Sequence, residues 1–145
     1  MRISDVLQSK SSGTAVVTVS PDTTVRDLID LLAEHNIGAV IVSTDDNLVA
    51  GIVSERDVVR GLTDGTGLLD RDVASIMTAE VQTANPHDSV NDLMKLMTEH
   101  RIRHVPVFAD GELHGIVSIG DVVKSRIGEL EFERDQLTSY VSNTQ

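Results

Sequence analysis

The chain has no cysteine, which excludes disulfides, thiol catalysis and Cys-ligated metal sites. Aromatic residues are nearly absent: Phe108, Phe132 and Tyr140 are all of them. A core must therefore be built from Val, Ile, Leu and Met. No apolar run approaches the roughly 18 residues of a membrane span. The first residues, MRISDVLQSK, lack the apolar stretch of a signal peptide, so a cytoplasmic protein with no membrane partner is expected. Positive charge is scarce as well. Twelve Lys and Arg stand against 23 Asp and Glu, giving a formal charge of −11. That argues against non-specific nucleic-acid binding, but leaves room for a small anion in a locally basic cleft. There is no P-loop, no GxGxxG and no GxSxG.

What is present is a repeat. With 145 residues the chain suffices for one compact domain burying roughly 68–70% of its unfolded surface, a core that two half-size units would share. Pro21 laid over Pro86 brings Val25 onto Val90, Asp27 onto Asp92, Leu28 onto Leu93, His35 onto His100 and Ile37 onto Ile102. Val40 and Val42 fall on Val105 and Val107. After one extra turn residue in the first copy, Gly51-Ile52-Val53-Ser54 falls on Gly115-Ile116-Val117-Ser118, and Asp57 on Asp121. Roughly half of the aligned positions are identical.

Each copy has the grammar β-α-β-β-α. In the first, Ala15 to Val19 predicts a strand. A helical stripe of Val25, Leu28, Ile29, Leu31 and Leu32 follows, from about Thr24 to His35. Strands are expected over Ala39 to Val42 and Leu48 to Val53, with a turn at Thr44 to Asn47 and a helix from about Ser54. In the second copy the elements are a strand from Val81 to Thr83, a helix from Ser89 to His100, and strands from His104 to Phe108 and Leu113 to Val117. A helix then runs from Ser118. Asp110-Gly111 is a strong hairpin signal. Short helical lead-ins precede the copies at Ile3 to Leu7 and Val73 to Met77, and a Gly-rich polar loop, Thr63 to Gly67, links them. The boundaries read 1–68 for the first repeat with its lead-in, 69–126 for the second, and 127–145 for a C-terminal helical extension. Val123, Ile127, Leu130, Leu137 and Val141 follow 4-3-type spacing, interrupted by Arg134. That pattern suits either a helix packed on its own domain or an intermolecular helix pair.

The stretches Gly51-Ile-Val-Ser-Glu-Arg-Asp57, Gly115-Ile-Val-Ser-Ile-Gly-Asp121 and Arg103-His-Val-Pro-Val107 resemble the cystathionine-β-synthase (CBS) domain family. The resemblance covers Ile3 to about Arg126, and the tandem pair resembles a Bateman module, as in stand-alone bacterial CBS-pair proteins. It implies an α+β fold of two repeats related by pseudo-twofold symmetry, packed through their sheets with two clefts between them. It also implies disc-shaped homodimers and an adenosine-containing ligand: AMP, ADP, ATP or NAD(H), with S-adenosylmethionine behind them.

The residues suit such a ligand. Ser54 and Ser118 stand where a strand passes into a helix, and a hydroxyl there adds a donor to the helix N-terminus. One turn further, Asp57 and Asp121 can accept from both hydroxyls of a ribose. A Ser-x-x-acid pattern is also a capping box, and one residue can do both. The family resemblance assigns adenine or ribose contact to Thr18 and Thr83, which are otherwise ordinary strand residues. Ile37, Val40, Ile102, Val105 and Pro106 would wall a flat base, or are plain core. By the resemblance, Arg103 and His104 are the phosphate-facing positions; Arg56 is the first copy's best basic candidate. The copies are therefore expected to differ, the second being better equipped for phosphate. His35 and His100 each end a helix, where they complement its dipole, so no metal and no catalytic cofactor are expected.

The preferred reading is a nucleotide-binding sensor of energy or redox state that reports to a regulated protein. Its rivals are a ligand-independent scaffold acting through its dimer surface or C-terminal helix, and a small nucleotide hydrolase.

Overall fold

The structure is a computed structural model that describes residues 1–10, 17–44 and 48–143. In chain order its elements are α1 (Ile3–Gln8), β1 (Thr18–Val19), α2 (Val25–His35), β2 (Ala39–Ser43), β3 (Val49–Ser54), α3 (Glu55–Gly61), α4 (Val90–His100), β4 (His104–Ala109), β5 (Glu112–Ser118) and α5 (Ile119–Asn143). Short 3-10 turns occupy Leu62–Asp64, Thr66–Asp70 and Val73–Ser75. The α+β class and the repeated order of elements are as the sequence predicts. The first residues of the strand expected at Ala15, and most of the turn expected at Thr44 to Asn47, lie outside the described residues.

The chain divides into two compact units, each organised around one repeat. In the first repeat's unit, β1 pairs parallel with β2 across the α2 crossover, and β2 pairs antiparallel with β3. The helix α2 forms because its apolar residues recur on one face. Val25, Leu28 and Leu32 are buried against Val40, Val42 and Val53. Burying one such side chain contributes about 1.5–3 kcal/mol. Thr24 caps α2, its hydroxyl accepting from Asp27 N at 3.2 Å, and Asn36 ends it in the left-handed conformation.

The second repeat's unit follows the same design. Ser89 caps α4 by accepting from Asp92 N at 3.0 Å, and α4 buries Val90, Leu93 and Met97 against Val105, Val107 and Val117. The strands β4 and β5 are joined by Asp110-Gly111 alone, both with positive φ (54° and 77°), as a type I′ hairpin requires. The two hairpins share a register shift, after Val42 in one and after Val107 in the other.

Three expectations need correction. The strand predicted over Val81 to Thr83 does not form, and Thr83 lies outside any strand. A single parallel bridge, Ala84 with Val107, takes its place, held by Ala84 N to Pro106 O (3.0 Å) and Phe108 N to Ala84 O (2.8 Å). The register is that of Val19 with Val42 in the first repeat. The cause is composition: Gln82 and Ala84 stand where Val17 and Val19 do, and both are weaker strand formers. The lead-in expected over Val73 to Met77 is only a 3-10 turn at its start, and the loop from Thr63 to Gly67 is likewise taken up by 3-10 turns.

The third correction concerns the lead-ins, which exchange repeats. Ile3 and Val6 of α1 are buried in the second repeat's core, not the first's, and Ile3 N donates to Asp88 O at 3.0 Å. Conversely Leu68 and Val73 are buried in the first repeat's core, and Thr78 bridges to Ile52 through two hydrogen bonds of 2.8 and 2.9 Å. Each lead-in is thus separated in sequence from the sheet it covers. The helix α5 runs on without interruption from the second repeat into its C-terminal extension.

Candidate functional site

The two Ser-x-x-Asp corners are built alike. At the first, β3 runs into α3, and Ser54 N donates to Asp57 Oδ2 at 2.8 Å while Ser54 Oγ lies 3.2 Å from the same oxygen. Glu55 N, the first free donor of the helix, goes to Gly38 O at 3.0 Å. At the second, Ser118 N donates to Asp121 Oδ2 at 2.9 Å, and Asp121 N donates back to Ser118 Oγ at 3.1 Å. Ile119 N goes to Arg103 O at 2.8 Å, Arg103 being the repeat partner of Gly38. Capping is therefore what these serines and aspartates do within the chain. It uses one carboxylate oxygen of each aspartate. Oδ1 of Asp57 and of Asp121 has no intramolecular hydrogen bond among the described residues, and each carboxylate is half-buried.

The corners differ in charge. Lys10, from the segment after α1, places its ammonium 3.1 Å from Asp121 Oδ2 and donates to Ile116 O at 2.7 Å. Burial pushes the Asp121 carboxyl up. The Ser118 backbone N–H, the Lys10 ammonium and the Ser118 hydroxyl outweigh it and hold the group below its ordinary value. Asp57 has no cationic partner among the described residues. Lys10, Lys124, Ser125 and Asp121 line a cavity of about 460 Å³ beside α1 and α5. Sequence reasoning missed Lys10, because nothing in the local pattern ties it to a residue more than a hundred positions away.

The other predicted residues are dispersed. Thr18 is exposed on β1 and Thr83 is exposed in coil. Val40 and Val105 belong to the buried cores of their own units, and Pro106 is buried beside Val105. Ile37 and Ile102 are half-buried just past their helices; each donates its N–H back into the last turn, to Leu32 O and Met97 O. Ile37 also lines a groove of about 450 Å³ with Leu32, Glu55, Val58 and Val59. Arg56 and Arg103 are exposed, and His104 is half-buried at the start of β4. Among the described residues no three His, Asp or Glu side chains cluster as a metal site would require.

The family model described as the CBS domain matches residues 3–64 and 73–128. The chain belongs to the CBS domain family. Its CBS repeats are 38% identical over 146 residues to the mitochondrial CBS domain-containing protein CBSX3 of Arabidopsis thaliana, covering 96% of this chain and 71% of the relative. The crystal structure of the CBS-domain containing protein ATU1752 from Agrobacterium tumefaciens aligns with a TM-score of 0.83 at 42% identity, over 86% of this chain and 92% of that one. The crystal structure of CBSX2 in complex with AMP aligns with a TM-score of 0.71 at 25% identity, over 88% and 96% of the two chains.

Proposed function

We propose that this chain is a non-catalytic sensor that binds AMP, ADP, ATP or NAD(H) through the ribose and phosphate of the nucleotide. The observation that carries this reading is the duplicated corner, in which a cap fixes an aspartate and leaves one carboxylate oxygen available to ribose hydroxyls. The complex of its relative CBSX2 with AMP supports the same ligand class. Thr18 and Thr83 are the candidate base or ribose contacts, and Ile37 and Ile102 the candidate walls for the base. Ser54 and Ser118 are candidate phosphate donors. Val40, Val105 and Pro106 would support the strands from the core side.

The second repeat is the stronger site for an anionic ligand. Arg103 and His104 flank it, and Lys10 brings a further positive charge to Asp121. Arg56 is the first repeat's counterpart. A regulated protein would read the ligand only if the ligand prefers one of two shapes of the module. No helix among the described residues is long and apolar enough to cross a membrane, in keeping with a cytoplasmic role.

Thermal unfolding with AMP, ADP, ATP, NADH and S-adenosylmethionine tests this reading. At a hundred times its Kd a ligand adds about 2.7 kcal/mol, which for this chain length raises Tm by several degrees. One or more of the first four should do so, with Asp121→Ala reducing the shift more than Asp57→Ala. No shift with any of the five ligands would refute the proposal.

A further inference from the structure

The helices α1 and α5 lie side by side within the second repeat's unit and leave a groove of about 460 Å³ between them. They run in opposite directions: Lys10, just past α1, meets Asp121 in the first turn of α5, and Met1 N lies 3.8 Å from Glu129 Oε1. Val6 lines the groove from α1. Gly128 lines it from α5, and a Cβ added there would meet no atom within 4 Å. A glycine inside a helix costs about 1 kcal/mol relative to alanine. No side chain among the described residues fills the space it leaves, so the groove stays open at its middle. Phe132, one of only two phenylalanines in the chain, stands at the far end and is 64% exposed.

The polar groups of the groove are sorted by end. At the Phe132 end, Glu129 is held by Arg126 at 2.6 Å, and Asp5 accepts from Arg2 N at 2.9 Å. At the other end, Asp121 is matched by Lys10 at 3.1 Å. Lys124 lines the groove there without an ion pair among the described residues. The half-buried Ser125 beside it makes no side-chain hydrogen bond among them. One cation and one hydroxyl are thus left over at one end of an apolar trough. Lys124 and Phe132 are eight residues apart, about 12 Å along the helix. We infer that this groove binds a linear medium-chain carboxylate, with its head at Lys124 and Ser125 and its chain lying over Gly128 toward Phe132. A monoanion matches the one uncompensated lysine, and a carboxylate can accept from the ammonium and the hydroxyl together. A dianionic head would bring a second charge that Lys10, committed to Asp121 and to Ile116 O, leaves unmatched. An unbranched tail suits a trough bounded by two helices, and each methylene it buries strengthens binding about two- to fourfold. This inference does not rest on the nucleotide reading: it uses neither Ser118 nor the free Asp121 oxygen.

The chain has no tryptophan, so calorimetric titration of the full chain without nucleotide is the direct readout. Decanoate, kept below its micelle-forming concentration, should bind once per chain with a negative ΔCp. Hexanoate should bind at least about 15-fold more weakly, and decanol at least about fivefold more weakly. Lys124→Gln should bring decanoate down to the level of decanol and leave decanol unchanged, a split that loss of the fold would not produce. Gly128→Leu puts a good helix former where a Cβ meets nothing, so it should fill the groove and remove decanoate binding with circular dichroism and Tm retained. Phe132→Ala changes a side chain that is already exposed, and should weaken decanoate severalfold and hexanoate little. No saturable binding of decanoate, several equivalents bound per chain, decanol binding as tightly as decanoate, or undiminished binding by Gly128→Leu each overturns the inference.

Discussion

The two CBS repeats share individual backbone hydrogen bonds at their corners and hairpins, yet their surroundings differ. Both corners carry the same cap, and both hairpins shift register at the same place. What differs is what each lead-in brings. The segment behind the second repeat's sheet delivers a lysine to Asp121. The segment behind the first repeat's sheet delivers a main-chain bridge, with no charge for Asp57. Duplication thus sets geometry, while the unduplicated lead-ins set electrostatics.

The largest test of that contrast lies at the paired glycines. A Cβ on Gly51 would stand 2.6 Å from Thr78 O and 2.9 Å from Met77 Sδ. The nearest atom is main chain and is fixed by the two Ile52–Thr78 hydrogen bonds. Gly51→Ala should therefore cost about 2–3 kcal/mol, and Met77→Ala should not relieve it. At Gly115 the obstacle is Leu7 Cδ2, at 2.9 Å, the far end of a side chain that can turn away, in addition to the strain of a φ of +157°. Leu7→Ala should recover part of the loss in Gly115→Ala. Two double-mutant cycles by urea unfolding measure this, with a coupling above about 0.5 kcal/mol expected only for the 115/7 pair. Equal coupling in both pairs would remove the contrast.

A middling effect is expected at the Asp121 corner. The folded state holds this carboxyl below its unfolded value, near 4. A depressed carboxylate contributes stability that is complete above the unfolded value and is lost as pH falls through the folded one. Stability should therefore decline below about pH 4, and Asp121→Asn should flatten that part of the curve. Lys10→Ala removes an ion pair whose side chains are about a quarter exposed, together with a bond to Ile116 O, and should cost about 1 kcal/mol at pH 7. Asp57→Asn should leave the Lys10 effect untouched. If Lys10→Ala is silent at pH 7 and the acid limb is unchanged in Asp121→Asn, the pair contributes nothing.

These contrasts mark where the sequence was legible. The helices α2 and α4 could be read because their periodicity and caps are local: Thr24 or Ser89, then an acid three residues on. The Asp110-Gly111 turn was legible for the same reason, and the Ser and Asp of the corners stood out by repetition. The strand at Val81 to Thr83 was read by analogy with the first repeat, against its own composition. The exchange of lead-ins and the Lys10 contact were beyond reach. Both depend on tertiary partners distant in the chain, and no periodicity encodes such a partner. Val40 and Val105 show the same limit from the other side: an apolar strand residue looks identical whether it faces a ligand or a core.

The smallest expected effect concerns the helix ends that precede β2 and β4. Both α2 and α4 terminate in a left-handed residue, Asn36 with φ 51° and Arg101 with φ 54°. Asparagine tolerates that conformation, whereas an arginine carries the Cβ clash that disfavours it, by roughly 1 kcal/mol. Arg101→Gly should therefore raise stability by up to about 1 kcal/mol, while Asn36→Gly should be nearly neutral, since glycine also loosens the unfolded chain. Arg101→Asn should recover much of the gain without that entropic loss. If Arg101→Gly instead destabilises, the Arg101 side chain contributes more to the second repeat than its strained backbone costs. The difference between the repeats would then extend to the entry of the strand that carries Arg103 and His104.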